Sequence, residues 1–116
     1  MNIKVKQVKS ATNSHQFKYK LSEVSIFYDG NASLTTEVEN NRLRILLEDL
    51  SYQKHTVQLT RKSGQLLWKH DHIHSNIHSI FQHEVDFKDY ETGTYRFIIL
   101  FDIENKVVVE VQKNYG

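Results

Sequence analysis

The chain of 116 residues contains no cysteine and no proline, and it has only 4 glycines and 1 tryptophan. Without cysteine, the protein cannot form disulfides, use thiol catalysis or build a thiolate zinc site. No apolar run approaches the ~20 residues that a transmembrane helix needs, and the N-terminus lacks the apolar stretch of a signal peptide. These absences predict no membrane insertion and a cytoplasmic protein, or a secreted or cell-surface protein if a leader has been removed.

The formal net charge is only +1, so no overall field attracts nucleic acid. The first 20 residues nevertheless carry lysines and no acidic residue: Lys4, Lys6, Lys9, Lys18 and Lys20. We expect these lysines to protect the edges of strands, although a small surface that contacts anions would have the same composition. Aromatic residues do not alternate with lysines and arginines as they do in grooves that bind single-stranded nucleic acid. This pattern again predicts no nucleic-acid partner.

Apolar and polar residues alternate along nearly the whole chain, which is the pattern of strands with one wet face. Turn chemistry separates these segments, for example at Asn40-Asn41 and at Lys62-Ser63-Gly64-Gln65. The spacing predicts an all-β, antiparallel sandwich of about seven to nine short strands, in a single domain over residues 1–116. Apolar residues recur at helical spacing only over Asn76–Gln82, where a short helical turn could form, and Glu48–Lys54 could form another.

One local pattern resembles the corner between the fifth and sixth strands of immunoglobulin-like domains. It runs from Asp89 through Gly93 to Tyr95 and Phe97. The resemblance implies that the Tyr95 hydroxyl bonds back to the upstream backbone, that Phe97 takes a core position, and that Trp68 is the core tryptophan. Residues 57–111 also resemble the small sandwich modules at the ends of secreted bacterial proteins, through Ser63-Gly64 and Gly93-Thr94-Tyr95. By analogy of fold alone, these resemblances imply binding or scaffolding.

Histidines are concentrated between residues 70 and 83. On a regular strand, His70, His72 and His74 share one face, and with His78 or Glu84 they could bind zinc or another divalent metal. However, Trp68 has the same phase, and a buried face would desolvate all of these rings. We therefore expect the strand to end or bulge near Lys69 and the histidines to lie on an exposed loop. A third possibility is that the clustered histidines become protonated below neutral pH, so that the segment acts as a pH switch.

No Gly-rich phosphate loop, nucleophile elbow or helical His-Glu-x-x-His motif is present, so the sequence predicts no enzyme. We expect a non-catalytic protein-interaction or scaffolding module, which binds a protein partner or forms a homodimer through an exposed strand edge. Four tyrosines at positions expected to face solvent could anchor such contacts: Tyr28, Tyr52, Tyr90 and Tyr115. The alternatives are a metal-binding protein that uses the His70–His83 segment and a carbohydrate-binding module, which would need an exposed aromatic platform.

Overall fold

The computed structural model describes residues 4–7, 17–25, 33–39, 41–50, 54–73, 79–103 and 105–114. These residues form nine strands and no helix. The strands are β1 (Lys4–Gln7), β2 (Phe17–Ser25), β3 (Ser33–Glu39), β4 (Arg42–Leu50), β5 (Lys54–Arg61), β6 (Leu66–Ile73), β7 (Ser79–Asp86), β8 (Gly93–Leu100) and β9 (Lys106–Lys113).

The two predicted helical turns are wrong wherever the structure describes them. Ser79–Gln82 begin β7, and the remainder of that segment, residues 76–78, lies outside the described residues. Glu48–Leu50 end β4, and Lys54 begins β5. Pairing of β7 with β4 and packing of alternate β7 side chains in the core override a short stretch of helical spacing.

The strands form two sheets, with the orders β1-β3-β4-β7 and β2-β9-β8-β5-β6. Neighbouring strands run antiparallel, except for β1 and β3, which are parallel. The two sheets share one apolar core, so the prediction of an all-β fold with antiparallel sheets packed as a sandwich is confirmed. The immunoglobulin-like connectivity stays a prediction.

The lysine-rich N-terminal segment supplies two edge strands. β1 lies at one edge of the four-stranded sheet, and β2 lies at one edge of the five-stranded sheet. Lys4 and Lys6 belong to β1, whereas Lys18 and Lys20 belong to β2. These four positions confirm the expectation that lysines mark strand edges, and Lys9 lies outside the described residues.

Alternate residues of the central strands fill the core. β8 and β9 bury one face, while β4 and β7 close the core from the opposite sheet. The fully buried side chains of the core include Leu43, Ile45, Leu47, Leu59, Phe87, Tyr95, Phe97, Ile99, Val107, Val109 and Val111. Each such side chain stabilises the fold by roughly 1.5–3 kcal/mol relative to exposure, so the strongest alternation in the sequence becomes the core.

The corner before β8 is held by the hydrogen bond that the resemblance to immunoglobulin-like domains implies. The Tyr95 hydroxyl donates to the backbone carbonyl of Glu91 at 2.6 Å, and Phe97 is buried in the core at 1% exposure. The Lys113 ammonium fastens the same corner to β9, because it donates to the carbonyls of Phe87, Lys88 and Tyr90 at 2.5–2.8 Å. The corner is therefore a rigid junction between the two sheets.

The turn between β5 and β6 also forms where the sequence predicts it. Gly64 has a φ of 97°, a left-handed conformation that favours glycine. Its N–H donates to the Arg61 carbonyl at 2.9 Å, and the Arg61 N–H donates to the Gln65 carbonyl at 2.9 Å. This tight hairpin sends β6 back along β5 and places it at the edge of the five-stranded sheet.

Candidate functional site: the edge strand β6 and the histidines beneath it

β6 continues as a strand through Ile73, so the prediction that it ends near Lys69, with the histidines on a loop, is wrong, whereas the alternative of a bulge matches a register shift at Leu67, two residues earlier. From Trp68 to Ile73 it pairs with β5 in unbroken register, and the one irregularity lies earlier, opposite Leu59 and Thr60. The prediction failed because it placed Trp68 deep in the core. Trp68 is half-buried on an edge strand, so His70 on the same face remains exposed and costs no desolvation.

The outward face of β6 carries charged and apolar side chains that are exposed. Lys69 and Asp71 lie on either side of His70, and Ile73 at the end of the strand is 82% exposed. The Asp71 carboxylate accepts a hydrogen bond from the Thr56 hydroxyl of β5 at 2.8 Å, which orients it above the sheet. No other described strand pairs with the side of β6 that faces away from β5, and we call this side the outer edge.

Trp68 links the edge strand to the corner. Its indole Nε1 donates to the Tyr90 hydroxyl at 2.9 Å, its ring packs against Phe97 at 6.2 Å between centroids, and His70 covers it at 5.2 Å. A carbohydrate platform would need an open ring face, so this packing gives that alternative no support. Of the tyrosines considered as contact anchors, Tyr90 is half-buried against the core, and Tyr28, Tyr52 and Tyr115 lie outside the described residues.

Two buried histidines join the sheets beneath β6. His55 of β5 and His83 of β7 are 3% and 9% exposed, and their Nε2 atoms lie 2.8 Å apart. This distance is that of a hydrogen bond, in which one ring donates its Nε2–H and the other accepts with a bare Nε2. The pair therefore places polar atoms in the core without the cost of leaving them unbonded.

His72 of β6 completes a group of three rings, which we call the histidine cluster: His55, His72 and His83. The ring centroid of His72 lies 5.2 Å from that of His55 and 4.8 Å from that of His83. The His55 and His83 centroids are 5.0 Å apart. Aromatic side chains enclose the cluster, with Phe81 and Phe101 packed against His55. The cluster thus spans both sheets and has an apolar surround.

An open cleft of about 240 Å³ reaches the cluster from solvent. His55 and His72 lie on its wall beside Phe101, and Lys54 and Asp71 bring charge to it. Because His83 lies behind these two rings and is 9% exposed, a small ligand that entered the cleft would meet His72 and His55 first.

The structure brings together a different set of histidines from the one predicted to bind metal. Of His70, His72, His74 and His78, it places His70 on Trp68 and turns His72 toward the cluster, while His74 and His78 lie outside the described residues. Among the residues that are described, no three histidine, cysteine or acidic side chains already surround one point as a metal site requires. The predicted four-histidine set stays a prediction.

Sequence reasoning missed His55 and His83 as a pair, although their strand phase marks them. His55 alternates with Val57 and Leu59, and His83 alternates with Val85 and Phe87, so both rings point into the core. The prediction rested on the high number of histidines between residues 70 and 83. The residues that meet in the structure, His55 and His83, are identified by their alternation with buried residues on two distant strands.

Comparisons of the chain with protein-family models, with curated proteins and with solved structures found no match. In the described part of the chain, no helix has the length and apolar character needed to cross a membrane.

Proposed function

We propose that this domain is a non-catalytic interaction module that associates with a second copy of itself through β6. The observation that carries the proposal is the outer edge of β6, where exposed residues of opposite charge flank His70. Backbone groups on an open strand edge are a template for pairing with another strand. A sequence that is complementary to itself favours a second copy of the same chain over other partners.

The register of such a pair follows from symmetry. In an isologous dimer with a continuous sheet, residues directly opposite each other point to the same face, so the two-fold axis passes midway between the two copies of one residue. An axis at His70 places Lys69 opposite Asp71 of the partner subunit, and it does so twice. The same register brings Ile73, which is 82% exposed, against the first part of β6 in the second copy, so part of this exposed apolar side chain is removed from water at each end of the interface.

The other strand edges are less suited to self-pairing. The described part of β1 has 4 residues, and two of them, Lys4 and Lys6, carry the same charge. β2 is interrupted by a register shift between Leu21 and Glu23. A strand edge that carries one sign of charge or a bulge resists pairing with itself.

The last edge, β7, is engaged within its own sheet. Glu84 accepts hydrogen bonds from the Arg44 guanidinium at 3.1 and 3.2 Å, and Asp86 lies 3.6 Å from Arg42. Both of these β7 side chains are acidic, so a second copy of the strand would bring carboxylates together. β6 is the edge on which opposite charges alternate, which favours it as the contact.

Sedimentation equilibrium of the full chain over a wide concentration range tests the proposal. We expect a monomer–dimer equilibrium, and Ile73→Lys should weaken it several-fold, because the burial of an exposed apolar side chain is lost at both ends of the interface. Ile103→Lys is the matched control, since Ile103 is 98% exposed and lies outside the strands. A protein that stays monomeric throughout, or a dimer that Ile103→Lys weakens as much as Ile73→Lys, would contradict the proposed interface.

A further inference from the structure

We propose that the histidine cluster binds one divalent transition-metal ion, with zinc as the leading candidate, through Nε2 of His55 and Nε2 of His83 and with His72 as the third ligand. Imidazole nitrogens bind zinc, nickel and copper in proteins. The site differs from the four-histidine segment predicted from the sequence, because only His72 is common to both. It also does not depend on association through β6.

The distance between the two buried nitrogens is close to that required. Two nitrogens bound ~2.0–2.1 Å from a tetrahedral zinc ion lie about 3.3 Å apart. The Nε2 atoms of His55 and His83 are 2.8 Å apart, with both atoms already directed at each other. A tetrahedral ion would require the two nitrogens to move about half an ångström further apart and each ring to tilt by roughly 35°, so that both lone pairs point at the ion rather than at each other.

The His72 ring lies at a distance from the other two rings that suits a shared metal ion. Three imidazoles on one tetrahedral ion have ring centroids about 5 Å apart. The three sides of the histidine cluster measure 5.2, 5.0 and 4.8 Å. Because no three ligand groups among the described residues yet converge on one point, we infer that the His72 ring must rotate about χ2 to bring a nitrogen inward. This half-buried ring borders the cleft, which gives it space to turn.

Binding requires a change of tautomer but no net change of charge on a neutral pair. In the hydrogen-bonded pair, one ring carries its proton on Nε2. That ring must carry the proton on Nδ1 once Nε2 binds the ion, while the accepting ring already has a bare Nε2. The change is specific to this site, because an exposed histidine that binds metal has no partner ring whose hydrogen bond is lost.

The fourth position of the ion would face the cleft. His55 and His72 lie on the cleft wall and His83 lies behind them, so water or a small anionic ligand could reach the ion from that side. A site with three protein ligands and one open position is the arrangement of zinc ions that bind an exogenous ligand. The Lys54 ammonium and the Asp71 carboxylate on the same wall carry opposite charges, so the lining itself favours neither sign of ligand.

Calorimetric titration of zinc chloride into the metal-free full chain tests this site. We expect one equivalent of zinc per chain, with affinity lowered by at least ~100-fold in His55→Gln and in His83→Gln, since losing an outer-shell partner alone costs ~10–100-fold. Glutamine retains a hydrogen-bonding group toward the remaining ring, and thermal unfolding of each variant checks that it folds. His70→Gln is the matched control, because His70 lies on the same strand as His72 but packs on Trp68.

Ring-nitrogen NMR provides a second measurement that needs no variant. Zinc should shift the Nε2 resonances of His55 and His83 together and leave both rings protonated on Nδ1. The proposal is overturned if the parent protein binds no zinc, if both glutamine variants bind as tightly as the parent, or if His70→Gln abolishes binding. It is also overturned if zinc binds without changing the His55 and His83 resonances, which would place the ion on surface histidines.

Discussion

Exchanging the charges that flank His70 gives the sharpest test of pairing through β6. In the proposed register, Lys69→Asp places two carboxylates opposite each other at both symmetry-related positions, and Asp71→Lys places two ammonium groups there. A charged pair directly across two strands contributes ~0.2–1 kcal/mol when the signs are opposite and costs a similar amount when they are equal. Each single variant therefore loses about 1–4 kcal/mol of dimerisation free energy over the two positions, or roughly fivefold to several-hundredfold in affinity.

Mixing the two single variants should restore association. One variant then carries acidic side chains at both positions and the other carries lysines at both, so only the mixed dimer has opposite charges facing each other. Native mass spectrometry with one variant isotopically labelled distinguishes the mixed dimer from either homodimer. The double variant Lys69→Asp/Asp71→Lys should also dimerise like the parent, because it preserves the complementarity.

Controls away from the edge use the same changes of charge. Lys62→Asp in the β5–β6 turn and Asp89→Lys before β8 alter exposed positions outside the strands, so the dimer should persist in both. High salt should reduce the difference between the parent and the single variants, because the screening length falls to ~3 Å at 1 M. The reasoning is refuted if the single variants dimerise as the parent does, or if mixing them yields no excess of the mixed dimer.

Two further predictions concern the stability of the sandwich. Tyr95→Phe should lower the free energy of unfolding by about 0.5–1.5 kcal/mol, measured in urea, because the part-buried hydrogen bond to the Glu91 carbonyl at 2.6 Å is lost; an unchanged midpoint would show that the corner bond contributes nothing net. His83→Leu should lower the free energy of unfolding by about 1–3 kcal/mol, because it removes the Nε2 partner of His55. The double variant His55→Leu/His83→Leu should lower it by less than the sum of the two single changes. Strict additivity would contradict a direct His55–His83 hydrogen bond.

The strands themselves could be predicted because their evidence is local. Each buried strand keeps apolar residues in one phase, as Tyr95, Phe97 and Ile99 do on β8, and turn residues mark where the chain reverses. The Tyr95 corner could also be predicted, since donor and acceptor are only 4 residues apart. In both cases the information lies within about ten residues of chain.

The pairing of His55 with His83 could not be predicted in the same way. The two residues are 28 positions apart and belong to different sheets, so their contact depends on which strands are neighbours across the sandwich. Alternation gives the direction of each side chain but not the strand that it faces. The error at Lys69 has the same origin, because the position of β6 at an edge decides how much water reaches its inner face.

The position of β6 at the edge connects the two proposals while keeping them experimentally separate. Its outward side chains, Lys69 and Asp71, determine whether a second copy fits, and its inward ring, His72, borders a cleft that leads to the buried pair. Successive residues of a strand point to opposite faces, so Lys69→Asp should weaken the dimer without affecting zinc binding. Conversely, His55→Gln should weaken zinc binding and leave the dimer intact, because His55 lies 3% exposed beneath the sheet.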